Sequence, residues 1–134
     1  MNLAVYPLIS KLEGIERELE KLYQNYQSRL KMVESKLRDN YNPMLEREAS
    51  NISTILTVIS QALSIIRRAK SYVADTPPEL LHLKFSTLID EAEKLRDKVL
   101  YGSARIPTVI KAHVLMIYTL LGKASDKPHT SMLL

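Results

Sequence analysis

The feature that most constrains this fold is a stretch of seventeen residues without a charged side chain, Ser50–Ile66, which reads SNISTILTVISQALSII. Val58, Ala62 and Ile65 widen its apolar face, and a helix that is apolar nearly all round needs neighbours on several sides. The stretch therefore predicts the central helix of a helical core. Its other apolar residues recur at steps of three and four, the spacing of an α-helix: Ile52, Ile55, Leu56, Ile59, Leu63 and Ile66.

A membrane span is the alternative interpretation of this stretch, because a span needs about 20 mostly apolar residues. Eight of the seventeen residues are Ser, Thr, Asn or Gln, whose side chains suit close packing between helices. The whole chain is 46% apolar and 25% charged, which is the balance of a globular protein with a core. We therefore expect one helical domain over residues 1–134 and no membrane partner.

Periodicity and local stop signals predict the helix boundaries. The first helix carries a nearly heptad seam from Leu8 to Leu37. The second begins after Asn42, which can act as N-cap. The third begins at a capping box formed by Thr76 and Glu79, and Gly102 ends it. Four helices are thus expected, at about 7–39, 43–74, 77–101 and 107–121, with a tail over 123–134.

The element that follows Pro107 allows two interpretations. Its run VLMIYTLL is continuous and β-branched, which fits a buried strand. Such a strand would have no pairing partner elsewhere in the chain, so we favour a helix that Gly122 closes. The predicted fold class is all-α. It is an antiparallel four-helix bundle with two long helices, one medium and one short, and apolar arms at its termini.

The unequal helix lengths predict an incomplete core. The short fourth helix cannot cover the full first hairpin, so part of the apolar centre should stay exposed in one copy. Exposed apolar patches and arms usually mark a binding surface, and we predict that other copies of the chain cover them. The residues expected at this assembly interface lie in both arms and on the first and fourth helices: Leu3, Val5, Tyr6, Tyr23, Tyr26, Val114, Tyr118, Met132, Leu133 and Leu134.

The formal net charge of +4 suggests a partner only where positively charged side chains remain unpaired. Antiparallel pairing of the first two helices should neutralise many cations. The expected partners are Glu13, Glu16, Glu18 and Glu20 with Arg67, Arg68 and Lys70, and Glu46 and Glu48 with Arg29, Lys31, Lys36 and Arg38. A candidate polyanion contact, including DNA, remains at Arg105, Lys111, Lys123 and Lys127, or at Lys31, Lys36 and Arg38. The alternative function is therefore a helical nucleic-acid-binding accessory subunit, although no recognisable nucleic-acid motif accompanies these residues.

The sequence lacks a convincing catalytic or metal site. It contains no cysteine, and Glu79 with His82 matches only one copy of the Glu-x-x-His element that a di-iron bundle uses twice. His113 lies in an apolar helix, and no Asp, Ser or Cys pattern points to it. We therefore expect a protein that is not an enzyme, with no cofactor, no metal and no small-molecule substrate.

The chain as a whole resembles the small all-helical coat proteins of archaeal viruses, especially the spindle-shaped tailed ones. The similarity lies in its plan: paired long helices, SNISTILTVISQALSII at the centre and SMLL at the end, in a short chain without cysteine. The resemblance implies a virion location and a helical or shell-like lattice of many copies around DNA. Otherwise a cytoplasmic location is expected. The function predicted first is a non-enzymatic, self-assembling structural protein that forms homo-oligomers.

Overall fold

A computed structural model of the chain describes residues 6–125. These residues form helices and contain no β-strand, so the all-α prediction is confirmed and the element after Pro107 is a helix. The elements in chain order are α1 (Tyr6–Asp39), α2 (Pro43–Asp75), a short 3₁₀ helix (Pro78–Leu80), α3 (Leu81–Tyr101) and α4 (Thr108–Ser125).

The helices pack as a bundle in which each runs antiparallel to the preceding one. Glu16, near the start of α1, pairs with Arg67, near the end of α2. Arg68 of α2 likewise pairs with Glu91 in the middle of α3. Short connections join all four helices, as up-and-down bundles require.

The core lies along the centre of the bundle, and all four helices contribute to it. Phe85 is completely buried, and so are Leu12 and Leu19 of α1 and Ile110 and Leu121 of α4. Helix α2 supplies the largest share because it packs against each of the other helices. Its buried residues are Ile52, Ile55, Val58, Ile59, Ala62, Leu63, Ile65, Ile66 and Ala69.

This burial corrects one expectation from the sequence. The charge-free stretch does not stay exposed in a single copy, because α1, α3 and α4 together cover its apolar face. By length and composition α2 could also cross a membrane, with a mean hydropathy of 1.5 in its most apolar window. In this fold, however, its buried apolar residues, which lie between Ile52 and Ala69, are packed against the other three helices.

The surplus length of the first two helices falls at one end of the bundle. Asn51 of α2 holds the α3–α4 loop with two hydrogen bonds: its Nδ2 donates to the Arg105 carbonyl at 3.2 Å, and its Oδ1 accepts from the Arg105 N–H at 3.1 Å. Eight residues of α2 precede Asn51, which corresponds to about 12 Å of helix. Residues 30–50 therefore continue past the α3–α4 loop as a two-helix projection, here called the hairpin arm.

Two of the predicted helix boundaries are wrong. Thr76 does not start a capping box, because its N–H donates to the Tyr72 carbonyl and so ends α2. Helix α3 instead begins at Leu81, after a 3₁₀ turn whose N-cap residue, Pro77, makes no side-chain capping bond. Gly122 does not close the last helix either: α4 passes through it to Ser125.

Two other terminal signals are confirmed. The Oδ1 of Asn42 accepts from the Met44 N–H at 2.8 Å, so Asn42 is the N-cap of α2. Gly102 ends α3 with an extended backbone, and its N–H donates to the Lys98 carbonyl at 3.0 Å. A Cβ at position 102 would collide with that carbonyl oxygen, which explains the glycine.

Candidate assembly and polyanion surfaces

The predicted assembly residues do not form one surface in the structure. Leu3, Val5, Met132, Leu133 and Leu134 lie outside the described residues, and Tyr6 is the first residue of α1. Val114 is 1% exposed and belongs to the core, so its assignment to the interface is wrong. The sequence could not separate these two roles, because a core residue and an interface residue of an apolar helix look alike.

The three remaining tyrosines pack at the rim of the core. Tyr23 and Tyr26 of α1 and Tyr118 of α4 are half-buried against it. The Arg29 guanidinium lies 5.1 Å from the centre of the Tyr26 ring, and the Arg96 guanidinium lies 4.5 Å from that of Tyr118. Such cation–π contacts are worth about 0.5–1 kcal/mol at exposed sites. These tyrosines therefore have partners within the chain, and each keeps an accessible edge.

The hairpin arm is the surface that the sequence reasoning missed. The only buried side chain in it is Val33. Met32, Tyr41 and Met44 are 61%, 66% and 75% exposed. The seam that α3 and α4 cover in the body of the bundle continues into the arm, where no other part of residues 6–125 covers it. Its residues there are half-buried: Leu30, Leu37, Leu45 and Ala49.

The predicted charge pairing between α1 and α2 is confirmed in part, chiefly for Arg67 and Lys70. Lys70 Nζ lies 2.9 Å from Glu16 Oε1 and 3.3 Å from Glu13 Oε2. Arg67 contacts Glu16 at 3.2 Å and Glu20 at 2.9 Å. Burial alone would raise the pKa of Glu16, but the hydrogen bonds from Lys70 and Arg67 together outweigh it and lower that pKa. This network joins the two helices at the end of the bundle opposite the arm.

Other predicted pairings differ or are weaker. Arg68 turns away from α1 and forms a two-pronged pair with Glu91 of α3, at 2.6 and 2.9 Å. Glu18 contacts Lys21 of its own helix at 3.8 Å. At the base of the arm, an ion pair joins the two helices, Arg29 with Glu48 at 3.8 Å. Within the described part of the chain, Lys31, Lys36 and Arg38 are exposed and have no ion pair.

The predicted polyanion contact is spread over the molecule. Arg105 is exposed in the α3–α4 loop, and Lys111 is half-buried one turn into α4. Lys123 follows twelve residues later, about 18 Å along the same helix. Lys127 lies outside the described residues. The structure therefore spreads the three described cations from the α3–α4 loop to the last turn of α4 rather than placing them in one cluster.

A second basic surface lies between α2 and α3. The α2–α3 groove is lined by Gln61, Ser64, Ile65, Arg68, Glu91, Lys94, Leu95 and Lys98. Apart from Arg68, its α2 wall belongs to the charge-free stretch, whose outward positions are Ser, Thr and Gln. The i, i+4 spacing of Lys94 and Lys98 gave a local signal, but only the packing shows that they border a wall in which Arg68 is the one charged side chain.

No catalytic arrangement stands out in residues 6–125. Every buried side chain there is apolar, and no group of three His, Asp or Glu side chains is placed to hold a metal. Glu79 lies exposed in the 3₁₀ helix, and His82 is half-buried in the first turn of α3. His113 lines a shallow groove between α1 and α4, with Gly14 and Met116.

Comparison of this chain with protein-family models, with curated proteins and with solved structures finds no match. Function is therefore inferred from the sequence and from the geometry of the surfaces described above.

Proposed function

We propose that this chain is a non-enzymatic structural protein that assembles with other copies of itself, and that the hairpin arm is a principal contact. The observation that carries the proposal is the uncovered seam of the arm. In the body of the bundle α3 and α4 cover this seam, but beyond Asn51 the described residues supply only the two helices of the arm. Helices in proteins are stabilised mainly by packing of their apolar face, so a two-helix arm becomes more stable when a third and a fourth helix pack against it.

A second arm is the occupant that fits this seam. Two arms packed about a two-fold axis would complete a short four-helix bundle, and each copy would use the same patch. The apolar side chains Met32, Tyr41 and Met44 would move from water into the contact, each worth up to about 1.5–3 kcal/mol on full burial. The apolar arms at the chain termini would add further contacts, as the sequence predicts.

The specific form that we propose is a virion coat protein in a helical or shell-like lattice. It rests on the resemblance in plan to small helical coat proteins, and DNA would be the enclosed partner. Electron microscopy of the purified protein tests this form: filaments or shells support it, whereas discrete small oligomers would limit the proposal to self-assembly.

Charge introduced on the arm tests the assembly itself. The double variant Met32→Glu/Met44→Glu should keep its helical circular dichroism, because both side chains are mostly exposed. Its mass by size-exclusion chromatography with light scattering should fall towards that of one copy. Leu83→Glu is the matched control, since Leu83 is equally exposed at 61% but lies near the start of α3. Unchanged mass in the double variant would contradict the role of the arm.

Removal of residues 131–134 tests the terminal arm separately. The core cluster is formed by residues between Leu8 and Leu121, so a chain without the last four residues, Ser-Met-Leu-Leu, should fold normally and assemble less tightly. A truncated chain that assembles as well as the full chain would show that the C-terminal arm is dispensable.

A further inference from the structure

The α2–α3 groove combines two walls of different character. Helix α2 has no charged side chain between Glu48 and Arg67, so its wall offers exposed hydrogen-bonding groups such as Gln61 and Ser64. The α3 wall carries two exposed cations, Lys94 and Lys98. They are four residues apart, which places them one above the other on the same helix face, about 6 Å apart along the axis.

The carboxylate in the groove is hydrogen-bonded to Arg68, and Lys94 acts on it only through its charge. Both oxygens of Glu91 accept hydrogen bonds from the Arg68 guanidinium. The bonds from Arg68 lower the pKa of Glu91, so this pair stays ionised. Neither Lys94 nor Lys98 has an ion pair within the described residues. The charges of Arg68 and Glu91 cancel, so Lys94 and Lys98 give the residues that line the groove a net charge of +2.

An exposed aromatic ring continues the same face of α3. Tyr101 follows Lys94 by seven residues and Lys98 by three, so all three side chains project from one side of the helix. Tyr101 is 81% exposed, the highest value among the exposed large apolar side chains of the described residues. A cationic track that ends at an accessible aromatic ring is the arrangement with which proteins hold single-stranded nucleic acid.

We propose that the α2–α3 groove binds a single strand of nucleic acid. The phosphates lie along Lys94 and Lys98, the side chains of Gln61 and Ser64 supply hydrogen bonds, and one base stacks on Tyr101. A single strand fits better than a duplex, because stacking on a side chain needs a base face that pairing and stacking within a duplex conceal. This site does not depend on self-assembly.

The test is fluorescence anisotropy of the full chain with a labelled oligothymidylate, titrated at several salt concentrations. The variant Lys94→Gln/Lys98→Gln should bind more weakly, and the slope of log K against log salt should fall by about 1.4, since each phosphate contact on a single strand contributes about 0.7. Tyr101→Ala should weaken binding roughly 5- to 150-fold without changing that slope, because stacking is not ionic.

Two matched variants outside the groove serve as controls. Lys111→Gln/Lys123→Gln removes the same charge from the contact that the sequence predicted on α4, and Leu83→Ala removes an exposed apolar side chain near the start of α3, outside the groove. Both should bind the oligonucleotide as the unmodified chain does. Absence of binding at low salt, equal loss in both lysine pairs, or tighter binding of a duplex would each overturn the proposal. Light scattering without nucleic acid reports assembly separately.

Discussion

Asn51 fastens the α3–α4 loop to α2 and so sets the level at which the hairpin arm begins. Asn51→Ala removes two hydrogen bonds, to the carbonyl and the N–H of Arg105. Each neutral hydrogen bond contributes about 1 kcal/mol to the free energy of unfolding. The higher helix propensity of alanine compared with asparagine offsets roughly 0.6 kcal/mol of the loss. We therefore expect the free energy of unfolding to fall by about 1.5 kcal/mol.

The assay is urea denaturation followed by far-ultraviolet circular dichroism, with a thermal scan alongside. For a chain of this length, the loss corresponds to a decrease in Tm of about 5 °C. Gln61→Ala is the matched control: Gln61 is an exposed amide on the same helix without a hydrogen bond among the described contacts, and its loss should not destabilise the protein. If Asn51→Ala proved as stable as Gln61→Ala, the loop would not be held as described.

Three further predictions concern the core, the ion pairs and a helix glycine. Ile59→Asp should prevent folding, because it places an unpaired charge at a completely buried position, whereas Ile59→Val should cost only about 0.5–1.5 kcal/mol; circular dichroism and denaturation distinguish the two. Glu16→Gln should cost about 1 kcal/mol at pH 7, a value reduced by the exposure of Arg67. The pKa of Glu16 in the folded protein lies below its ordinary value of 4.5, so its carboxylate stabilises the fold fully above pH 4.5. That stabilisation is lost as the pH falls through the lowered pKa of the folded state. The denaturation midpoints of variant and parent should therefore converge in acid. Gly122→Ala should raise the free energy of unfolding by about 0.5–1 kcal/mol, since position 122 lies inside α4 and a Cβ there meets nothing within 4 Å; a lower Tm would contradict the helix that we describe.

The sequence predicts the long helices well because their signals are local and repeated. The seam from Leu8 onward and the N-cap at Asn42 determine where α1 and α2 lie to within a residue. The start of α3 was mispredicted because Thr76 can either begin a helix as its N-cap or end one as its C-cap. In the structure its backbone N–H donates to the Tyr72 carbonyl, so Thr76 is the C-cap of α2. The end of α4 was mispredicted because glycine weakens a helix without terminating it.

Tertiary placement accounts for the other differences. Arg68 had carboxylates available on both sides of α2, and only the packing of α3 shows that Glu91 is its partner. Asn51 and Arg105 are far apart in the sequence, and no periodic pattern joins them. The sequence also showed that two helices are too long for the others. It did not show that the surplus lies in the arm rather than over the charge-free stretch.

The central claim is that apolar contacts between copies hold an assembly together. The most direct test is light scattering after size-exclusion chromatography of the purified chain, without nucleic acid, at low and at high salt. Contacts through the arm should give a mass of at least twice the 15.3 kDa of one copy, and salt should not dissociate them, because burial of apolar surface does not depend on screened charges. A mass of one copy at every protein and salt concentration would contradict the account.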